Sequence, residues 1–133
     1  MADPQLKEKV EQAIGENRVL LFMKGTPDTP RCGFSMRVVG VLEQLGVEYG
    51  AIDVLPALQP LREVTTELSD WQTFPQLYVN GELLGGCDIV EEMFESGELA
   101  EMVGAQQPEN AELPDASRIV PGGSQQSPPM QLG

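Results

Sequence analysis

The chain has no histidine in its 133 residues. That absence removes imidazole as a general base and as a ligand, and with it Cys–His catalysis and most zinc sites. Two cysteines, Cys32 and Cys87, are too few for a disulfide scaffold and fit a reducing compartment. Positive charge is scarce: eight Lys and Arg stand against 21 Asp and Glu, a net charge of −13. Phosphate backbones and anionic lipid surfaces need a basic face, so neither nucleic acid nor a membrane is an expected partner. The acidic excess reads as a solubility feature. No apolar run approaches the roughly 20 residues that cross a bilayer. The opening Met1-Ala2-Asp3-Pro4 begins neither an apolar signal core nor an Arg/Ser-rich transit pattern, so a cytoplasmic location is expected. An organellar form whose transit peptide has been removed stays open.

What is present is one domain's worth of alternating patterns. Leu6, Val10, Ala13 and Ile14 stand at helical spacing between Pro4 and Gly15. Val19 to Met23 is a continuous apolar run, as in a strand covered on both faces. Met36, Val39, Leu42 and Leu45 mark a second helix stopped by Gly46; Tyr49 to Val54 reads as a strand and Pro60 to Leu68 as a short helix. Gln76 to Val79 and Glu82 to Leu84 flank Asn80-Gly81, a hairpin signal. Asp88-Ile89-Val90-Glu91 has the spacing of a capping box ahead of a last helix. The predicted order is helix, strand, helix, strand, helix, strand, strand, helix, which an α/β layer with a mixed four-stranded sheet satisfies. Residues 105–133 carry five Pro, five Gln and no aromatic residue, and read as a disordered tail after a domain spanning 1–104.

The chemistry centres on Cys32-Gly33-Phe34-Ser35, which follows the apolar run and the loop Lys24-Gly25-Thr26-Pro27. A strand, a loop and a cysteine at a helix start is the layout of a thioredoxin-like redox site. Ser35 occupies the place of the second cysteine in a C-x-x-C motif, so no disulfide closes within the motif. A lone thiolate remains, favoured by the helix N-terminus and by Lys24 and Arg31, and able to attack a mixed disulfide or bind a soft metal.

Met23-Lys24-Gly25-Thr26-Pro27, Cys32-Gly33-Phe34-Ser35, Thr73-Phe74-Pro75-Gln76 and Gly85-Gly86-Cys87-Asp88-Ile89 together resemble the monothiol glutaredoxins of the C-G-F-S type, from about Val10 to Met102. The resemblance implies the thioredoxin-like (glutaredoxin) fold. It implies that Lys24 and Arg62 hold the glycine carboxylate of glutathione. Thr73, Phe74 and Pro75 would pair with its cysteinyl amides in the manner of an added strand, and Gly86, Cys87 and Asp88 would meet its γ-glutamyl end. Pro75 is expected to be cis, Phe34 to shield the thiolate and Trp71 to pack locally. Cys87 is either a small filler near the γ-glutamyl site or a second thiol that pairs with Cys32. Two positions depart from the family pattern: Gln72 replaces the usual proline of Trp-Pro-Thr, and Thr66 replaces a frequent lysine.

A [2Fe–2S] cluster bound by thiolates needs four of them. Two chains and two glutathiones supply four, so the resemblance implies a cluster carrier: a monomer when empty and a homodimer when loaded, delivering clusters to iron–sulfur acceptor proteins and pairing in some members with a BolA-like protein. The competing expectation is a glutathione-dependent thiol–disulfide oxidoreductase, with Cys32 attacking a mixed disulfide and a second glutathione resolving it. By resemblance, the five residues Thr26 to Pro30 ahead of Arg31-Cys32 favour the carrier.

Overall fold

The structure, a computed structural model, describes residues 2–108. Helix α1 (Pro4–Glu16) starts where the sequence provides both devices for starting a helix: Asp3 accepts from the Gln5 N–H and Pro4 fills the first turn. Strand β1 (Val19–Met23) leads to α2 (Gly33–Leu45), whose C-cap Gly46 adopts φ 65°. Strand β2 (Gly50–Asp53), a 3₁₀ turn (Leu55–Ala57) and α3 (Leu58–Ser69) follow. The hairpin β3 (Gln76–Val79) and β4 (Glu82–Gly85) turns through Asn80 and Gly81, both at positive φ.

The four strands form one sheet in the order β2-β1-β3-β4. Strand β1 is central: Leu21 pairs in parallel with Ala51 and antiparallel with Leu77. Its continuous apolar run is explained by burial on both faces. Leu20 and Phe22 join Val10, Leu61, Val64, Phe74 and Tyr78 beneath α1 and α3. Leu21 and Met23 join Val38, Leu42, Leu77, Val90, Phe94 and Leu99 beneath α2 and the C-terminal helices. Full burial of each such side chain contributes about 1.5–3 kcal/mol. The sheet and its flanking helices form the expected mixed α/β architecture.

Two expectations are corrected. The helix after β4 begins at Cys87, and its N-cap is Gly86 with no side-chain cap, so Asp88 lies in the first turn and the capping box does not form. The reason is visible at Glu91, the would-be partner, whose carboxylate is turned inward onto Arg37. The last helix is also two: α4 (Cys87–Ser96) and α5 (Glu98–Val103), broken where Gly97 takes φ 85°. Packing continues past Gly104, since the Ala105 N–H bonds to Ala100 O and Gln107 Nε2 donates to Phe94 O. The rest of the Pro/Gln-rich segment, with Arg118-Ile119-Val120, lies outside the described residues.

Candidate functional site

Cys32 is the N-cap of α2, in extended conformation, and its side chain makes no capping hydrogen bond. One turn further, Ser35 is fully buried, and its Oγ accepts from the Lys24 N–H at 3.1 Å. The residue that replaces the second cysteine thus ties the end of β1 to the first turn of α2. The loop between them closes on itself. Thr26 and Thr29 exchange backbone hydrogen bonds at 3.0 and 3.2 Å, and the Arg31 N–H returns to Lys24 O at 2.9 Å. Asp53 Oδ1 accepts from both Gly25 and Leu55, anchoring the loop to the end of β2.

Gly25 makes this closure possible at φ 94°, where a Cβ would stand 2.5 Å from Thr29 O and 2.7 Å from Arg31 N. Gly25→Ala is therefore expected to cost about 2–3 kcal/mol in urea unfolding and to alter the alkylation rate of Cys32, whose neighbour Arg31 would be displaced.

On the opposite side, the Phe74–Pro75 bond is cis. The 70–75 loop faces Gly86 closely enough that a Cβ there would meet Pro75 O at 3.3 Å. Between these walls is a cavity of about 630 Å³. Lys24, Cys32, Arg62, Thr73, Phe74, Pro75, Gly86, Cys87 and Asp88, all singled out from the sequence, line it. Phe34 and Trp71 line it as well, and Phe34 stands 55 % exposed at its rim. Ile89 joins them without having been expected: it sits on the first turn of α4, where the sequence pattern alone could equally bury it.

The charges are arranged at two ends. Lys24 makes no ion pair among the described residues. Arg62 is partly committed, Nε donating to Gln72 O at 3.1 Å and Nη1 to Gln59 Oε1 at 3.3 Å, which leaves Nη2. At the other end, the Gly86 N-cap leaves the first N–H groups of α4 without a side-chain partner, beside the exposed Asp88 carboxylate.

The two thiols differ sharply, and neither is in a disulfide. Cys32 is partly exposed, whereas Cys87 is buried and its thiol is pushed up to about 11. Burial is the main cause; the Glu91 carboxylate adds to it and Arg37 opposes it. Among the described residues, no group of three or more His, Cys, Asp or Glu side chains converges as a metal cage. Iodoacetamide at pH 8 is expected to modify one thiol per chain, Cys32; equal labelling of both would contradict this.

A stability effect follows with a definite sign. The unfolded Cys87 thiol ionises from about pH 8.5, while the folded one stays protonated to about pH 11. The unfolded state then binds fewer protons, so stability holds below about pH 8.5 and falls as pH rises to 11. Tyr49 and Tyr78, both raised by burial, act in the same direction at higher pH. Urea midpoints measured across this range, with Cys87→Ala beside the wild type, check it: the variant's decline should be shallower.

Comparison with known proteins agrees with this geometry. Residues 19–84 match the Glutaredoxin family. A Rickettsia typhi protein named "Probable monothiol glutaredoxin 2" is 55 % identical over 94 residues, 71 % of this chain and 84 % of that one. Rice monothiol glutaredoxin-S11 is 54 % identical over 101 residues; the match takes in 76 % of this chain but spans only 20 % of the rice protein. Among solved structures, reduced apo GrxS14 from poplar superposes with TM-score 0.66 at 45 % identity, over 74 % of this chain and 90 % of that one. A buckwheat glutaredoxin–glutathione complex superposes with TM-score 0.68 at 25 % identity, over 75 % and 88 %. No described helix is long and apolar enough to cross a membrane. With its single accessible cysteine at the start of α2 and a serine buried one turn on, the chain belongs to the glutaredoxin family, among the monothiol glutaredoxins.

Proposed function

We propose that the cavity binds glutathione and that two chains, each with one glutathione, carry a [2Fe–2S] cluster as cargo to acceptor proteins. The observation that carries this reading is the inequality of the thiols: one partly exposed sulfur at the cavity, a second buried and held protonated, and Ser35 where a dithiol partner would stand. Thiolate sulfur suits iron, but one chain offers a single available donor, and two chains with two external thiols supply the four ligands.

The cavity's polarity supports glutathione as the external thiol. Its glycine carboxylate would meet Lys24 and Arg62 Nη2 at the cationic end. Its γ-glutamyl carboxylate would meet the uncapped N–H groups of α4, and its ammonium the Asp88 carboxylate. Its cysteinyl unit would lie along Thr73, Phe74 and Pro75, directing the thiol toward Cys32. In the buckwheat glutaredoxin, a structural neighbour, the bound molecule is glutathione. A BolA-like protein is a further candidate for the second chain's place.

Anaerobic reconstitution with iron and sulfide, with and without reduced glutathione, tests this. Visible charge-transfer bands and dimeric elution only when glutathione is present are expected. A colourless monomer that turns over glutathione-linked disulfide reduction would instead establish the oxidoreductase.

A further inference from the structure

Gln76 follows the cis proline, is fully buried and points into the layer beneath α3 with its strand neighbour Tyr78. A buried amide must find partners for two N–H groups and a carbonyl, and this one finds them in the loop that walls the cavity. Gln76 Nε2 donates to Thr73 O at 3.1 Å and to Trp71 O at 3.3 Å. Its Oε1 accepts from the Tyr78 hydroxyl at 2.9 Å, and that hydroxyl shares a second 2.9 Å bond with Ser69 Oγ at the end of α3. From the other side, Arg62 Nε holds Gln72 O. The carbonyls of three consecutive residues, 71, 72 and 73, are therefore all committed to side chains just before Phe74. No regular secondary structure holds this loop; side chains do.

We propose that Gln76 is a positioning residue: by holding the Trp71 and Thr73 carbonyls inward, it presents the Phe74–Pro75 backbone to the peptide part of the ligand. This rests on the glutathione reading above. Gln76 does not line the cavity and does not touch the reacting sulfur. Its effect is selective for ligands that pair with the loop backbone, and it leaves the Cys32 sulfur itself unaltered. Because Thr73 is exposed and Trp71 partly so, water can take their carbonyls when the amide is removed. Gln76→Leu, which keeps most of the volume, then frees the loop rather than unfolding the domain.

Single-turnover exchange on the full chain reads this out. With glutathione disulfide, the Cys32 thiolate attacks one sulfur, forming the protein–glutathione mixed disulfide and releasing one glutathione thiolate. With dithiodipyridine, the same sulfur attacks a disulfide that has no peptide backbone, releasing thiopyridone. Gln76→Leu is expected to slow the first reaction about tenfold, the loss of one to two buried hydrogen bonds, and to leave the second unchanged. Tyr78→Phe, which unties only the far end of the network, is expected to slow the first reaction about threefold, and it stands as the test should the leucine variant fail to fold. Two rates that fall together, or neither falling, would overturn the proposal while leaving glutathione binding intact. Wild-type protein that shows no glutathione binding by calorimetry would overturn the glutathione reading and this inference with it.

Discussion

On the carrier reading, Cys32→Ser is expected to abolish cluster binding and thiol exchange while making the domain more stable. Cys32 is the N-cap of α2 and its side chain satisfies none of the first-turn N–H groups. Serine is among the preferred residues at that position, because its hydroxyl accepts from the second or third N–H of the helix. The extended backbone already present, φ −149° and ψ 135°, suits a capping side chain. The gain should be about 0.5–1 kcal/mol in urea unfolding, against complete loss of visible absorption after reconstitution. If Cys32→Ser proved destabilising by a similar amount, the thiol would have a structural role that the geometry does not reveal.

The second large effect lies behind the site. Arg37 on α2 grips Glu91 on α4 with two hydrogen bonds, Nε to Oε2 at 2.8 Å and Nη2 to Oε1 at 2.6 Å. The Glu91 side chain is 8 % exposed and that of Arg37 32 %, so Arg37→Met strands a buried carboxylate with no counter-charge. Breaking such a pair costs about 3–5 kcal/mol when both partners are buried. The partial exposure of Arg37 lowers the expectation to about 2–3 kcal/mol. Replacing both residues with Met and Leu should recover most of the loss, since an apolar pair of similar volume carries no desolvation cost. Equal destabilisation in the single and double variants would show that packing, not charge, is what the pair supplies. Glu91 also bears on Cys87, whose thiol is raised chiefly by burial: Glu91→Gln removes a carboxylate that adds to the rise, so the pH at which Cys87 ionises should move down from about 11.

How much of the molecule is legible in its sequence depends on the range of the signal. The burial of β1 on both faces is legible in an apolar run with no polar alternation, and the hairpin in Asn80-Gly81, because both signals are local. Cys32 at a helix start is legible for the same reason. The start of α3 is less so, since Pro60 suggests the first residue, yet the helix begins at Leu58 with the proline accommodated in its first turn. The capping box misleads because Glu91 has two possible partners. Only the folded chain shows that Arg37, 54 residues away in sequence, wins it. In the sequence Gln76 stands out only as the last residue of a motif. Its bonds to Trp71 and Thr73 depend on a loop geometry that no periodicity encodes. The candidate site residues are legible because they fall in short motifs at family spacing. The side chains that hold those motifs in place are not, because they act across elements.

The most direct test of the carrier reading is the mass of the anaerobically reconstituted protein under non-denaturing conditions. A species of two chains, two glutathiones and one [2Fe–2S] cluster is expected, falling apart to apo monomers when glutathione is removed. A cluster that stays bound after glutathione is exchanged away, or one held by a single chain, would contradict it.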